Sequence, residues 1–243
     1  MTSTTERALV AGGSGDTGRE LLAVLGPTDL EVRATTRSYA NVDELERLGA
    51  DEVAVVDFFE STAAVRAVEG VDYVFSTLGT SPGPRHVLGG RLVDRTGVIN
   101  LITAAVAEGV DHVALQSAIG VGTSRARMPL PARLLVRGTL RAKGDAETAL
   151  RRSGLGYTVF RPGRLTNGPP SGEVLVGEGG DSVWGSIPRG DVARLMAAAP
   201  FSPDARNRTF EVVSRDGLSG SPRNLVDVPW ERGRIGTEGE IYP

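Results

Sequence analysis

The chain has 243 residues, 40% of them hydrophobic and 23% charged, and its net charge of −3 gives no reason to expect a nucleic acid or an anionic membrane as partner. It contains no cysteine and only two histidines, which excludes disulfides and thiol catalysis and argues against a metal site. Its first residues, MTSTTER, lack the pattern of a signal peptide, and no apolar run approaches the roughly 20 residues that span a bilayer, so we expect a cytoplasmic protein.

Short runs of β-branched and apolar residues alternate with helical patterns along the chain. The predicted strands are residues 8–11, 30–35, 52–56, 73–77, 112–116, 157–160 and 209–213. The predicted helices are residues 16–25, 42–48, 61–68, 91–108, 137–152 and 189–199. Many of these helices are followed by a glycine, which ends a helix at little steric cost because it adopts the left-handed conformation.

Several of the predicted strands are almost continuously apolar, as expected of parallel strands that are buried on both faces. Their alternation with helices predicts an α/β fold with a doubly wound parallel sheet of the Rossmann type. We see no repeat and no linker, so we expect a single domain over residues 1–243 with its core at 7–214. Residues 215–243 are rich in glycine, proline and charge and are predicted to form an irregular tail.

The stretch RALVAGGSGDTGRELLAVLG places Gly12, Gly15 and Gly18 at the turn between the first strand and the first helix. Glycines at such a turn let the backbone approach a pyrophosphate, and a side chain at Gly15 or Gly18 would take the place of that group. The first turn of the helix, with Asp16 and Thr17, would present its free N–H groups and its positive dipole end to the same anion. We therefore predict a dinucleotide site here; the alternative is a tight turn without a ligand.

Two other glycine motifs do not fit this turn. A P-loop would need Lys followed by Ser or Thr after its last glycine, where this chain has Arg19 and Glu20. A nucleophile elbow would need one residue between its serine and the next glycine, whereas Ser14 is followed at once by Gly15.

The second predicted strand ends in ATTRSYA. An NAD site usually has an acidic residue at this point, which binds the ribose 2′-OH, whereas this chain has Thr36, Arg37 and Ser38. An arginine suits a 2′-phosphate in charge and in geometry, so Arg37 and Ser38 favour NADP(H) over NAD(H). Asp16 argues in the opposite direction because a nearby carboxylate would repel that phosphate. The other interpretation of Arg37 is a solvated loop residue.

Eight segments, taken in order, resemble one family. They are LVAGGSGDTG, VRATTRS, VVDF, DYVFSTLGT, GVINLITAAVAEGVDHVALQSAIGVG, ALRRSGLGYTVFRPGRLTNG, SIPRGDVARLMAAA and TFEVVS. With them the chain resembles the atypical short-chain dehydrogenase/reductases, above all the NAD(P)H-binding, NmrA-like branch that includes biliverdin-IXβ (flavin) reductase. The likeness extends over residues 7–214, which makes it far more specific than the glycines alone.

This resemblance implies contacts along the adenosine half of the cofactor. Asp57 and Phe58 would flank the adenine, and Leu78 and Gly79 would run beside the adenosine ribose and the pyrophosphate. The residues alone leave a simpler possibility, in which Asp57 merely caps the segment that follows it.

The resemblance implies a second set of contacts at the nicotinamide half. Ser117 would lie near the nicotinamide, Lys143 would hold its ribose, and Pro162 and Gly163 would back the carboxamide. Ser117 and Lys143 are thus the candidate catalytic residues. Alternatively, Ser117 satisfies a backbone group at the end of its strand, and Lys143 forms an exposed ion pair with Glu147, four residues later on the same helix.

The chain departs from the short-chain dehydrogenase pattern at one important position. Those enzymes have a proton-donating tyrosine four residues before the lysine, where this chain has Thr139. A threonine hydroxyl is far too weak an acid for that role. Either the acid comes from elsewhere, or the substrate needs none, or there is no turnover. We expect Ser117 and Lys143 to position the ligand rather than transfer protons.

Substrate is expected beyond the carboxyl ends of the strands, where residues 118–138 and 164–188 leave the sheet. Residues 112–144 contain no acidic residue, and they carry six basic ones: Arg125, Arg127, Arg133, Arg137, Arg141 and Lys143. This excess predicts attraction of an anionic small-molecule substrate, although a solvated basic helix face would give the same pattern.

The favoured function is therefore an NADP(H)-dependent oxidoreductase that reduces a small or flat conjugated acceptor, such as a quinone, a flavin or a secondary-metabolite carbonyl. Two alternatives stay open: an isomerase, epimerase or lyase that retains its cofactor, and a non-catalytic NAD(P)-sensing protein of the NmrA-like kind. We expect a monomer or a homodimer that binds neither nucleic acid nor a membrane.

Overall fold

Strands of a parallel sheet alternate with helices through most of the chain. The computed structural model describes residues 5–80, 92–122, 124 and 136–231. Its strands are β1 (Arg7–Ala11), β2 (Glu31–Thr36), β3 (Glu52–Val55), β4 (Tyr73–Ser76), β5 (His112–Gln116), β6 (Gly156–Pro162), β7 (Arg164–Thr166), β8 (Val174–Glu178), β9 (Ser186–Pro188) and β10 (Arg208–Ser214). Its α-helices are α1 (Asp16–Leu25), α2 (Val42–Arg47), α3 (Ser61–Val68), α4 (Thr96–Glu108), α5 (Arg137–Arg151) and α6 (Arg189–Ala198).

The main sheet has the strand order β3-β2-β1-β4-β5-β6-β10-β8. All neighbouring strands in it are parallel except β8, which runs antiparallel to β10. The order runs outward in one direction from β1 to β3 and in the other from β4, so the crossovers change direction between β1 and β4. Ligands of such sheets bind at this change of direction, outside the carboxyl ends of the strands. The predicted doubly wound α/β fold is confirmed.

The sheet is buried on both faces, and successive residues of β1 show how the two faces differ. Ala8 and Val10 belong to a core that α1 and α6 cover, whereas Leu9 and Ala11 belong to a second core that α3, α4 and α5 cover. Because successive side chains of a strand point to opposite faces, a strand between two helical layers is expected to be apolar at most of its positions. This explains the continuous apolar runs in the sequence.

Two parts of the sequence prediction were wrong. Residues 164–188, expected only as a segment leaving the sheet, contain β7, β8 and β9; β8 pairs with β10, and β7 pairs with β9 in a separate two-stranded sheet. Their glycines and prolines hid these short strands. The helix predicted from residue 91 begins at Thr96, because residues 92–95 form a turn in which the Leu92 carbonyl accepts hydrogen bonds from the N–H groups of Arg95 and Thr96.

The described part of the predicted tail, residues 215–231, contains no helix or strand but packs against the domain. The Val226 N–H donates to Val176 and the Glu178 N–H donates to Asn224, so this segment lies along the outer edge of β8. The Trp230 ring lies 5.9 Å from those of Phe160 and Phe210. Within the described ranges, no helix is long and apolar enough to cross a bilayer.

His112, at the start of β5, is completely buried and lies far along its strand from the carboxyl end. Its Nε2 is 3.1 Å from the Thr158 hydroxyl, which donates its own proton to the carbonyl of Ala205. The imidazole must therefore donate from Nε2. Its Nδ1 is buried with no hydrogen-bond partner among the described residues, so a proton on that nitrogen would be unsatisfied and the neutral form fits. Burial lowers the pKa of His112 from 6.5 to about 4, and the nearby positive charge of Arg206 acts in the same direction.

We predict that this histidine makes the fold sensitive to mild acid. Because its folded pKa is below its unfolded value, the unfolded chain takes up the proton first, and stability is lost as the pH falls from about 6.5 towards 4. At the acid end of this pH range, His112 should account for a loss of about 3 kcal/mol in the free energy of unfolding. Urea unfolding of the wild type and of His112→Gln at several pH values measures it. Parallel pH dependences of the two proteins would contradict this assignment.

Candidate functional site

The glycine-rich turn lies between β1 and α1, as predicted. Gly12 has a positive φ of 91°, which favours glycine, and its N–H donates to the Thr35 hydroxyl at 3.1 Å. Gly15 is the N-cap of α1, and no side chain in the described part of the chain caps this helix. The N–H groups of the first turn, which includes Asp16 and Thr17, are thus left to an external acceptor, which is the arrangement that an anionic ligand requires.

Gly15 and Gly18 have different roles, contrary to the expectation that both leave room for a pyrophosphate. A Cβ on Gly18 would lie 2.8 Å from the Gly13 Cα and closer still to the Gly12 carbonyl oxygen, so Gly18 is needed for packing within the protein. A Cβ on Gly15 would meet only the Gly12 carbonyl oxygen, at 3.3 Å. The space at Gly15 is therefore the part of the turn that is open to a ligand.

Two ion pairs fix the surroundings of the turn. Arg19 of α1 binds both carboxylate oxygens of Glu44, at 2.8 and 2.9 Å, and also donates to the Ser14 carbonyl. The Asp16 carboxylate lies 3.3 Å from the guanidinium of Arg189, at the start of α6. Since Arg189 compensates the charge of Asp16, the objection that this carboxylate would repel a 2′-phosphate is weakened.

Arg37 and Ser38 follow the carboxyl end of β2, and both are exposed. The Ser38 hydroxyl accepts the N–H of Ala40 at 3.3 Å, which leaves its own proton available to a ligand. Among the ion pairs of the described residues, none includes Arg37. This placement fits a phosphate-binding arginine and equally a solvated one, so the NADP(H) preference stays a prediction.

Asp57 and Phe58 follow β3 but point in different directions. The exposed Asp57 carboxylate accepts the N–H of Phe59 at 2.9 Å, which is the local capping role considered for it. The Phe58 side chain is 3% exposed and belongs to the core beneath α3 and α4. Any contact of Phe58 with an adenine would therefore come from its backbone.

A narrow pocket lies at the carboxyl ends of β4 and β5. Its lining combines the apolar side chains of Leu78, Val98, Leu115 and Ala146 with the polar ones of Asp94, Gln116, Ser117 and Lys143. The glycine turn lies directly beside it, because a Cβ on Gly12 would be 3.3 Å from the Leu78 N. The structure thus brings together three of the predicted elements: the turn, the residues after β4, and the pair Ser117 and Lys143.

Lys143 is not paired with Glu147, so the exposed helix ion pair considered for it is wrong. Its Nζ lies 3.0 Å from Oδ1 of Asp94, whose side chain is fully buried. The other oxygen of Asp94 accepts the N–H and the hydroxyl of Thr80, at 2.8 and 2.6 Å. Gly79 lies over this ion pair, since its Cβ would be 3.6 Å from Asp94 and 3.8 Å from Lys143. Lys143 is consequently held inside the pocket.

Glu147 instead forms a buried ion pair with Arg161 of β6. Nε and a terminal nitrogen of Arg161 bind its two oxygens at 3.0 and 2.7 Å, and the Ser117 hydroxyl donates to it at 2.5 Å. Burial alone would raise the pKa of the Glu147 carboxyl, but Arg161 and Ser117 together hold that pKa below its ordinary value. Ser117 therefore donates to an ionised carboxylate and offers the pocket only its lone pairs.

Pro162 and Gly163 lie at the carboxyl end of β6, where the chain passes into β7. The Pro162 carbonyl accepts the N–H of Ile119 at 3.0 Å. A Cβ on Gly163 would lie 2.9 Å from the carbonyl carbon of Gly185, so the second sheet requires glycine here. Their predicted contact with a carboxamide remains a prediction, because the packing within the protein already accounts for Gly163.

The basic segment is described only in part. Arg125, Arg127 and Arg133 lie outside the described residues, and Arg137 and Arg141 are exposed on α5. The predicted attraction of an anionic substrate therefore remains a prediction.

Two features of the site were missed in the sequence: the buried Asp94, and the ion pair of Glu147 with Arg161. One signal was available. Lys143 and Glu147 follow Leu140 by three and seven residues, so they lie on the buried stripe of α5 that continues to Leu150. Charged residues on such a stripe must find buried partners.

The sequence matches the model of a family described as NAD(P)H-binding over residues 12–203. An uncharacterized chloroplastic protein of Arabidopsis thaliana is 31% identical over 222 residues, which cover 87% of this chain and 78% of the relative. An NAD(P)H azoreductase of Xenophilus azovorans is 27% identical over 223 residues, which cover 88% of this chain and 70% of that enzyme.

Solved structures show the same fold. A putative NAD-dependent epimerase/dehydratase from Bacillus halodurans superposes with a TM-score of 0.75 at 29% identity, covering 89% of this chain and 96% of the other. ChuY, an anaerobillin reductase from Escherichia coli O157:H7, superposes with a TM-score of 0.76 at 21% identity, covering 88% of this chain and all (100%) of the other. The resemblance to atypical short-chain dehydrogenase/reductases is confirmed.

We predict that alanine destabilises the fold much more at one glycine of the turn than at another. Gly18→Ala forces a Cβ into backbone atoms and should lower the free energy of unfolding by about 2 kcal/mol or more. Gly15→Ala meets one carbonyl oxygen that can shift slightly, and it should cost less than about 1 kcal/mol. Urea unfolding of the ligand-free variants measures both, and equal losses would refute the division of roles.

Proposed function

Since the chain belongs to the NAD(P)H-binding family, we propose that it is an NADP(H)-dependent oxidoreductase that reduces a small or flat conjugated acceptor, such as a quinone, a flavin or a secondary-metabolite carbonyl. The observation that carries this proposal is the continuity of the site. Gly12, in the turn that leads to the uncapped start of α1, lies beside Leu78, and Leu78 lines the pocket that contains Ser117 and Lys143. A dinucleotide extended along this line would have its pyrophosphate at the turn and its nicotinamide at the pocket.

The residues present suit such a cofactor. Free N–H groups and an accessible glycine at the start of α1 suit the pyrophosphate, and Arg37 with Ser38 suits a 2′-phosphate. Lys143 would hold the nicotinamide ribose. When bound, the reduced nicotinamide supplies a hydride, and this leaves a negative charge on the acceptor.

The pocket favours an acceptor that needs no strong acid from the protein. Thr139 occupies the position of the usual tyrosine, and the proton of Ser117 is already donated to Glu147. A conjugated acceptor spreads the negative charge over its own atoms and takes its proton from water. Ser117 and Lys143 then position ligand without transferring protons.

A second candidate is an epimerase, isomerase or lyase that retains its cofactor. The solved structure from Bacillus halodurans, named a putative NAD-dependent epimerase/dehydratase, is the observation that favours it. Such an enzyme returns the hydride to its substrate, so it consumes no net NADPH. This separates it experimentally from the proposed reductase.

We predict that a panel of quinones, flavins and conjugated carbonyls contains an acceptor that drives NADPH oxidation, followed at the absorbance of the reduced nicotinamide. Thr139→Val should then change turnover less than about threefold, because losing a general acid normally costs about 100- to 10,000-fold. A loss of that larger size would make Thr139 the acid and contradict the proposed chemistry. Nucleotide binding without any turnover would remove the reductase and favour the sensing protein.

We predict that Arg37→Ala weakens NADP(H) binding selectively. One charge-assisted contact to the 2′-phosphate is worth about 1.5–3 kcal/mol, whereas NAD(H) lacks that phosphate and should be almost unaffected. Calorimetric titration of both nucleotides measures the difference. The matched control is Arg66→Ala, another exposed arginine, which lies on α3. Equal or tighter binding of NAD(H) by the wild type would refute the NADP(H) preference.

A further inference from the structure

The Asp94 carboxylate lines the pocket but is closed to solvent. Its side chain is 0% exposed, and that of Lys143 is 15% exposed. One of its oxygens is fixed by the N–H and the hydroxyl of Thr80, and the other lies 3.0 Å from the Lys143 Nζ. Both carboxylate oxygens are thus engaged by groups of the protein, so Asp94 would act on a ligand through Lys143.

The ion pair of Asp94 and Lys143 follows from the energetics of burial. A lysine with most of its side chain buried needs a compensating charge, or it turns towards water. The turn at residues 92–95 brings Asp94 beneath α5, and Thr80 holds the carboxylate in one orientation. The ammonium group is then kept at the wall of the pocket that Gln116 and Ser117 also line, and most of the side chain is shielded from solvent.

We infer that Asp94 is a positioning residue that holds the Lys143 ammonium where it meets the nicotinamide half of the dinucleotide. This inference rests on the proposed function, and it adds a residue that the sequence did not identify. The interaction with the ligand is made by Lys143, and Asp94 determines whether the lysine is in place. Removing either residue should therefore have the same effect, and removing both should add nothing.

The test compares a complete dinucleotide with its adenosine half. The dissociation constants of NADPH and of adenosine 2′,5′-bisphosphate are measured calorimetrically for the wild type, Asp94→Asn, Lys143→Met and the double variant. We expect NADPH to bind about tenfold more weakly to all three variants. Adenosine 2′,5′-bisphosphate lacks the ribose near Lys143, so its affinity should change less than about twofold. A general distortion of the site would weaken both ligands.

The neighbouring ion pair between Arg95 and Asp145 provides a matched control. It joins the same two segments at 2.9 Å, but its side chains are 56% and 43% exposed. Asp145→Asn should leave both affinities unchanged, since exposed pairs contribute little. Thr80→Val removes one hydrogen bond to Asp94, so it should weaken NADPH binding as Asp94→Asn does, but by a smaller factor. If Asp94→Asn does not fold, Thr80→Val takes its place in the test.

The outcomes separate this inference from the proposed function. If the wild type binds NADPH and Asp94→Asn binds it equally well, the inference fails and the proposed function stands. Equal weakening of both ligands by Asp94→Asn also overturns it, because Asp94 would then be purely structural. If the wild type binds no NADPH, the proposed function fails and the inference fails with it.

Discussion

The buried ion pair between Glu147 and Arg161 determines the geometry of the pocket. It joins α5 to β6, and the hydroxyl of Ser117 ties the end of β5 to the same carboxylate. Either charge alone would be costly in this interior, so helix and strand are fixed together. With α5 held in this rotation, Lys143, one turn before Glu147, faces the pocket. Arg161 also reaches the hydroxyl of Ser124 at 3.3 Å, so the loop after β5 depends on it too.

A second buried carboxylate near the site is also satisfied by donors from the protein. Ser124 donates to the buried carboxylate of Glu211, which also accepts the N–H and the hydroxyl of Ser182, at 2.6 and 2.5 Å. Through Arg161 and Ser124, the loops after β5 and β8 thus share one polar network. Such a network favours one arrangement of its side chains, because a donor that moved away would leave a buried acceptor without a hydrogen bond. The geometry of the pocket is therefore set before any ligand arrives.

The sequence predicted the fold well because one physical rule governs most of it. Strands covered by helices on both faces are mostly apolar, and β1, β4 and β5 each contain such a run, at residues 8–11, 73–75 and 113–115. The failures occurred where that rule does not apply. Strands β7 and β9 are three residues each and lie outside the main sheet, and the edge strand β8 is surrounded by glycine and proline.

The site was predictable where it depends on backbone and unpredictable where it depends on long-range partners. The glycine turn follows from the position of Gly12 after β1, and the resemblance located Lys143 and Ser117. No local sequence pattern predicts that Asp94 pairs with Lys143 of α5, or that Glu147 pairs with Arg161 and not with Lys143. Those pairings join residues 49 and 14 positions apart, and only the assembled sheet and helices bring them into contact.

The segment that runs along β8 affects whether two copies of the protein can associate through their sheet edges. An edge strand presents unpaired N–H and C=O groups to which a strand from another chain can add. Residues 224 and 226 already bond to Glu178 and Val176, so that edge is occupied by the molecule's own chain. The described part of the tail, residues 215–231, contributes neither helix nor strand, yet it protects this edge of the sheet from edge-to-edge aggregation. Colloidal stability is therefore a property of this segment as much as of the surface charge.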